Sequence, residues 1–243
     1  MDNHSNNIKY DFLNRIVLVT GGTGALGSSI TKAFVESNAT VISSYVHDRE
    51  ESSTQTENKS SIQLIKADIT KEEEVARLVS IVMDKYGHID ILVNVVGGYI
   101  GAKSIVELDE KEWDLMMAMN LKSAFLISKH VTKHMVASKY GKIIHISSKK
   151  GLHAEGSDSA YAASKSGLIR LVESLSEETK ETNINENCRI PILIDTQANR
   201  KSMPNADFNK WVKPENLANV VLFLSSDEAK TITGAAIPTF GVL

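Results

Sequence analysis

Short apolar runs alternate along this chain with longer stretches in which apolar residues recur every three or four positions. The run from Arg15 to Thr20 reads as a buried strand, and Ala25 to Ser37, with Leu26, Ile30, Ala33 and Phe34 on one side, reads as a helix. Thr40 to Ser44 and Ile62 to Lys66 are the next two strands. Glu72 to Tyr86 has Val75, Leu78, Val79, Val82 and Met83 at helical spacing, with Thr70 as the expected N-cap and Gly87 as the stop. A strand follows from Ile89 to Asn94, then a long helix from Glu110 to Ser138, a strand from Lys142 to Ile146 and a helix from Ser159 to Lys180. The pattern closes with a helix from Pro214 to Ser225 and a short strand from Ala235 to Pro238.

Strands that alternate with helices predict βαβ units and hence a parallel sheet covered on both faces. The expected fold is α/β, a Rossmann-like doubly wound sheet in a single domain over residues 1–243, with residues 1–13 as a flexible N-terminal extension. The stretch from Asp48 to Ser61, rich in Glu, Ser, Thr and Asn, is expected to be a solvated loop or frayed helix. No internal repeat and no proline-rich linker interrupts the pattern.

Composition narrows the function classes. The 243 residues carry a formal charge of −3, with 42% hydrophobic residues, so no global basic field argues for nucleic acid or an anionic membrane. Cys188 is the only cysteine and cannot form an internal disulfide, and the polar start of the chain lacks the apolar stretch of a secretory signal. No apolar run approaches the roughly 18 residues of a membrane span. These features predict a soluble, cytoplasmic protein with neither a nucleic-acid nor a membrane partner.

Chemistry first shows between the first strand and first helix, where Thr20, Gly21, Gly22, Thr23, Gly24, Ala25, Leu26 and Gly27 follow one another. Glycines there let the backbone approach a pyrophosphate, and the helix N-terminus supplies unpaired N–H groups and partial positive charge. Position after the first strand and before a helix favours dinucleotide binding over a merely structural turn.

A second signal is Ser147-Ser148 at the end of a strand, followed thirteen residues after Ser148 by Tyr161, with Lys165 four further on. Tyr and Lys at i and i+4 share a helix face, so an ammonium can sit near a phenol. Lowering a phenol from about 10 to near neutrality takes roughly 4 kcal/mol at 1.36 kcal/mol per unit. An exposed pair does not supply that, whereas a desolvated site with a second positive group, such as an oxidised nicotinamide ring, does.

With these residues in hand, the chain resembles the short-chain dehydrogenase/reductase family, in its single-domain branch that includes β-ketoacyl reductases. The resemblance runs from about Asn14 to Gly241 through the glycine turn at 20–27, Asp68-Ile69-Thr70, Asn94 to Gly97, Met119-Asn120-Leu121, Ile146 to Ser148, Tyr161 to Lys165 and Ile194-Asp195-Thr196. It implies that Tyr161 is the acid/base at the substrate oxygen and that Ser148, with Ser147 as second candidate, polarises the carbonyl. Lys165 would bind the nicotinamide ribose and lower the phenol's pKa, and Asn120 would hold a water beside Lys165. Asp68 and Ile69 match positions against the adenine, Asn94 and Gly97 lie on the ribose side, and Thr196 matches a nicotinamide contact. The resemblance also implies a homodimer or homotetramer built on the long helices around Leu115 to Val131 and Leu168 to Leu175, which are more apolar than one core-facing stripe needs.

The chain departs from that family's pattern at three places. Ala25 stands where most members have a glycine, Val95 replaces a common amide, and Glu186 and Arg189 fall where the sixth strand is usually apolar. Buried unpaired charges are costly, so these two are expected either to pair or to belong to a short, displaced strand.

Cofactor choice turns on the end of the second strand. An acidic residue there accepts from the 2′-hydroxyl of NAD and repels the 2′-phosphate of NADP. That position is Tyr45, with Ser44, His47 and Arg49 able to accommodate a phosphate and Asp48 nearby, so NADP(H) is favoured and NAD(H) stays open. His130 and His134 have the spacing of a metal pair but no third ligand, and no metal is expected. Lys149, Lys150, Arg200 and Lys201 would draw an acidic carrier or coenzyme A phosphate, or are solvated surface. Cys188, Trp113 and Trp211 read as packing residues.

The leading functional reading is reduction of a small ketone or β-ketoacyl thioester, a carbonyl-to-alcohol conversion. A polyol, sugar or hydroxysteroid dehydrogenase would share every catalytic residue and differ in the loop from Thr196 to Trp211. A dinucleotide-sensing regulator without turnover would be expected to lack Tyr161 or Lys165, and both are present.

Overall fold

The computed structural model describes residues 9–47 and 62–240. Strand β1 (Ile16–Thr20) enters helix α1 (Ala25–Glu36), followed by β2 (Thr40–Tyr45), β3 (Ile62–Lys66), α2 (Glu72–Tyr86) and β4 (Ile91–Asn94). Next come α3 (Glu110–Met117), a π-helical turn (Ala118–Lys122), α4 (Ser123–Ser138), β5 (Gly141–Ile146), α5 (Lys149–Leu152) and α6 (Ser159–Thr179). The chain then forms β6 (Ile184–Pro191), α7 (Gln197–Ser202), α8 (Pro214–Ser225) and β7 (Ala236–Thr239). The solvated loop expected from Asp48 to Ser61 lies outside the described residues.

The seven strands among the described residues are all parallel, in the order β3-β2-β1-β4-β5-β6-β7. The two-residue period of a strand decides which helix each side chain meets. Val17, Val19, Val41 and Val93 point to α1 and α8, where they meet Ile30, Phe34, Leu217 and Val221. Leu18, Ile42, Leu92 and Ile143 point the other way, to Val75, Leu78 and Val82 of α2 and Leu126, Val131 and Met135 of α4. Helix α6 closes that second face over Cys188 and Ile190 of β6 through Leu168, Ile169 and Val172. Both faces are therefore covered, as the uninterrupted apolar runs of the strands require. Strand order reverses direction between β1 and β4, and a crevice at such a point, outside the carboxyl ends of the strands, is where open α/β sheets bind ligands. Among the described residues no helix is long and apolar enough to cross a membrane.

The structure alters several expectations. Within the segment expected to be a flexible extension, Phe12 is buried against Phe34 at 5.1 Å between ring centroids and its amide donates to the Ser37 carbonyl at 2.7 Å, while Lys9, Asp11 and Leu13 are exposed. Helix α2 is capped at Lys71 without a side-chain hydrogen bond, because the Thr70 hydroxyl instead donates to Asp68 at 2.7 Å. Gly87 does end that helix, in the left-handed conformation. The helix expected from Glu110 to Ser138 is interrupted by the π-turn, which re-aims Asn120 inward to full burial.

The largest correction concerns β6. It is neither short nor displaced, but a fully buried eight-residue strand in register between β5 and β7. Glu186 and Arg189 are wholly buried and do not pair with each other, since residues three apart on a strand face opposite ways. The Thr179 hydroxyl lies 3.5 Å from one Glu186 oxygen, while the other oxygen and all three Arg189 nitrogens have no hydrogen-bond partner among the described residues. Burial pushes Glu186 up to about 8 and Arg189 down to about 9. Glu186 is therefore largely protonated at neutral pH, which removes its charge where a partner would otherwise be needed.

Candidate active site

The glycine turn is shaped by what it excludes. Gly21 has φ of +66°, which a side chain would strain. A Cβ on Gly27 would fall on the Gly21 carbonyl oxygen and one on Gly22 on the Ser43 hydroxyl, so the turn and α1 close together only without those side chains. Gly24 caps α1 with no side-chain hydrogen bond, and the first turn of the helix carries no acidic residue. The leading end of α1 thus presents backbone N–H groups with no side-chain cap and no acidic residue in its first turn, and these residues fit a dinucleotide pyrophosphate. Ala25, the departure from the family's glycine, is exposed at the first position of α1, where a methyl group is tolerated.

Beside the turn, the C-terminal ends of β1, β4 and β5 are tied by buried polar side chains. The Thr20 hydroxyl donates to the Asn94 carbonyl oxygen, the Asn94 amide lies 3.2 Å from Nδ1 of His145, and Nε2 of His145 lies 3.0 Å from the Ser128 hydroxyl on α4. Burial, with the nearby Lys165, pushes His145 down to about 3, so its imidazole is neutral. Nothing in the sequence pattern singled out His145, because its importance is only that it stands next to Asn94 across two strands. Val95 packs on the cluster beneath α1 and its amide donates to the Thr20 carbonyl at 3.2 Å, so the loss of a side-chain amide there is offset by backbone pairing and burial.

On the far side of the turn, Ser44 and Tyr45 are buried at the end of β2, and the Gly21 amide points to the Ser44 hydroxyl at 3.4 Å. Ile69 is buried below Asp68. Burial raises the Asp68 carboxyl, but the Thr70 hydroxyl and amide and the Lys71 ammonium outweigh it, and the net shift is downward.

β5 delivers Ser147 and Ser148. The Ser147 hydroxyl donates to the Lys165 carbonyl at 2.9 Å, pinning α6 to the strand end. Ser148 caps α5, accepting from the Lys150 amide at 3.3 Å, and its hydroxyl also hydrogen-bonds Tyr161. Of the two serines, Ser148 is therefore the one placed beside the phenol. Lys165, one turn along α6 and 5% exposed, donates from Nζ to the Ile146 carbonyl at 2.9 Å. Burial pushes its ammonium down to about 8.

Gly97 joins these parts. A Cβ there would sit 3.1 Å from Lys165 Nζ and would overlap the Asn120 carbonyl oxygen, so both side chains converge on its α-carbon. Asn120 accepts from the Gly98 amide at 2.9 Å and donates to the Gly98 carbonyl at 3.1 Å and the Ser164 hydroxyl at 3.1 Å. Tyr161 is half-buried. Burial raises its phenol, against which the Ser148 hydrogen bond and the Lys150 ammonium pull it down, while Tyr99 and Asp158 push it up. Lys150, Tyr99 and Asp158 thus act on the phenol; of these, only Lys150 drew notice in the sequence, as a cation for an acidic carrier or coenzyme A phosphate or as solvated surface.

Thr196 caps α7, accepting from the Asn199 amide at 3.2 Å. The segment beyond is packed on itself: Arg200 forms a two-pronged pair with Asp195 and lies 4.7 Å over the Phe208 ring, and Phe208 stands 4.9 Å from the buried Trp211. Trp113 is partly exposed, and Cys188 is a buried thiol that burial pushes up to about 12.

A parallel sheet with a glycine turn at its switch point and a Ser-Tyr-Lys cluster beside it defines the class to which comparison also leads. Residues 15–207 match the family model described as short chain dehydrogenase, so this chain belongs to that family of NAD(P)-binding oxidoreductases. It is similar to the 3-oxoacyl-(acyl-carrier-protein) reductase of Thermotoga maritima, with 30% identity covering 94% of this chain and 97% of that one. It is equally similar to an NAD-dependent glycerol dehydrogenase of Listeria innocua, 30% identical over 93% and 92% of the two chains. A short-chain type dehydrogenase/reductase from Mycobacterium ulcerans superposes with a TM-score of 0.89 at 25% identity, covering 94% of this chain and 89% of that one.

Proposed function

We propose that this protein is an NADP(H)-dependent reductase of a small ketone or β-ketoacyl thioester, with Tyr161 as the proton donor to the developing alcohol. The observation that carries the reading is that Asn120 and Lys165 close on Gly97 while Ser148 acts on the Tyr161 phenol one turn before Lys165, beside a glycine turn whose helix carries no side-chain cap. The bound nicotinamide supplies or receives the hydride. The protein orients the reactants and moves the proton: Ser148 holds the substrate oxygen, Tyr161 protonates it, and Lys165 and Asn120 order the ribose and water side. Asp68, Ile69, Asn94 and Thr196 are assigned to the cofactor on the same reading. An assay following reduced-nicotinamide absorbance across acetoacetyl thioesters, diketones, sugars and polyols tests it. Turnover of a ketone or ketoacyl thioester is expected, and turnover confined to polyols would favour the dehydrogenase reading to which the glycerol dehydrogenase relative points.

Cofactor preference rests on Tyr45, which occupies the end of β2 where a carboxylate would repel a 2′-phosphate. Asp48 and Arg49 lie outside the described residues. NADPH is expected to bind more tightly than NADH in calorimetric titration, and a tenfold advantage for NADH would overturn this assignment.

Assembly as a dimer or tetramer is proposed from Leu115 and Phe125, which stand exposed along α3 and α4. Apolar groups placed this way are commonly covered by a symmetry mate. Sedimentation at micromolar concentration is expected to give twice or four times the mass of 26.6 kDa, and a monomer would exclude the proposal.

A further inference from the structure

Resting on the reading of Tyr161 as proton donor and deepening it, we propose that Lys150, clamped by Asp158 and Tyr99, is a positioning residue that sets the charge environment of the Tyr161 hydroxyl. Three separate segments build the clamp. Tyr99 comes from the loop after β4, Lys150 from the start of α5, and Asp158 from the residue that precedes α6. Asp158 is only 4% exposed, and its two oxygens are divided between partners: one accepts from the Tyr99 hydroxyl at 2.7 Å, the other from the Lys150 ammonium. Lys150 Nζ also lies 5.1 Å over the Tyr99 ring, and that ring stands at right angles to Tyr161 with 4.9 Å between centroids.

The loop is built to permit this. A Cβ on Gly101 would fall on both the Tyr99 hydroxyl and the Asp158 carboxylate, so the clamp closes only over a glycine. The Lys103 amide donates to the Ser157 carbonyl at 3.2 Å, fastening the same loop to the residue before Asp158. A lysine held by a buried carboxylate and a ring face has little freedom, and its charge is delivered at a fixed place rather than averaged over rotamers.

The position matters because the helical partner of Tyr161 is directed elsewhere. Lys165 lies one turn along α6, but its Nζ donates to the Ile146 carbonyl on β5. The groups that act on the phenol's charge are Ser148 and Lys150 from the β5–α5 segment, Tyr99 from the loop after β4 and Asp158 at the head of α6, and the Tyr99 ring is in contact with Tyr161. Glu155 lies 3.7 Å from Lys150 on the solvent side. His145, behind Lys165, is neutral, and the Cys188 thiol is protonated. Lys150 is thus the cation that favours the phenolate, against the opposing Asp158 charge. Loss of Lys150 would leave Asp158 unopposed next to the phenol, and the phenolate would become harder to form.

The test reads Tyr161 directly and needs no substrate. The chain has 6 tyrosines; with ring carbons labelled at Cζ, the Tyr161 resonance is assigned by its loss in Tyr161→Phe and titrated by NMR from about pH 7 to 12 around the ordinary phenol value. Lys150→Gln is expected to raise the Tyr161 midpoint by at least about half a unit, and Lys150→Arg to hold it near wild type. An unchanged midpoint in Lys150→Gln, or Arg behaving like Gln, overturns the proposal. If Lys150→Gln fails to fold because Asp158 is left unpaired, Asp158→Asn is compared with Asp158→Asn/Lys150→Gln, where the clamp holds no carboxylate. The double variant is expected to titrate higher than the single, and equality overturns the proposal. Because the titration is independent of turnover, a protein that titrates as expected yet remains fully active as Tyr161→Phe would refute the proton-donor reading and leave the Lys150 assignment standing.

Discussion

Tyr161→Phe is expected to lower kcat by at least about a hundredfold while leaving the dissociation constant for NADPH nearly unchanged. The substitution keeps the ring, and with it the right-angle contact to Tyr99, and removes only the hydroxyl that Ser148 holds. Positioned acid–base groups typically contribute 10² to 10⁴-fold, which sets the scale. Lys165→Ala should differ in kind. It deletes a buried ammonium anchored to the Ile146 carbonyl beside Gly97, so cofactor binding and turnover should fall together. Ser147→Ala provides a contrast, since that hydroxyl is committed to the Lys165 carbonyl and a loss there should appear in stability more than in kcat. Equal activity of Tyr161→Phe and wild type on a ketone would show the proposed mechanism wrong.

Arg189→Met is expected to stabilise the fold by about 1–3 kcal/mol, read as a higher urea midpoint at unchanged slope, because replacing a buried ion by an apolar residue of similar volume is often stabilising. The side chain is wholly buried and its three nitrogens lack partners among the described residues. A loss of stability of similar size would mean that Arg189 is paired in the assembled protein. Glu186 gives the companion result through pH. Its folded pKa of about 8 lies above the ordinary value of 4.5, so its contribution is fully present below about 4.5 and is lost as pH rises through 8. Wild-type stability should therefore decline across pH 5 to 8 relative to Glu186→Gln, by at most about 1.4 kcal/mol per unit. Arg189, lowered to about 9, stays mostly charged through that window and adds little slope except near pH 8. Parallel stability curves for the two proteins would refute the assignment.

Both results concern places where local pattern and tertiary environment disagree. A charged residue in an apolar run ordinarily argues against a strand, yet β6 forms over all eight residues because β5 and β7 pair with it on either side. Backbone pairing along two edges outweighs what Glu186 loses, since its charge can be given up by taking a proton. The Asn120 turn is a similar case. The periodicity of Glu110 to Ser138 reads as one helix, and only packing against Gly98 and Ser164 shows the π-turn that buries Asn120.

By itself, the sequence determined the alternation of strands and helices, the glycine turn and the Tyr161–Lys165 spacing, because these depend on periods of two and 3.6 and on residues whose conformational or chemical constraints are local. It determined equally that Tyr161 and Lys165 share a helix face. What lies around that face was decided by tertiary structure: the choice of Ser148 over Ser147 as neighbour of the phenol, the direction of Lys165 toward Ile146, the His145 link between β4 and α4, and the Lys150–Asp158–Tyr99 clamp. The physical reason is distance along the chain. Tyr99 and Asp158 are 59 residues apart and meet only after β4, β5 and α6 have been laid side by side, and no local propensity encodes which charges a fold brings within reach of one another.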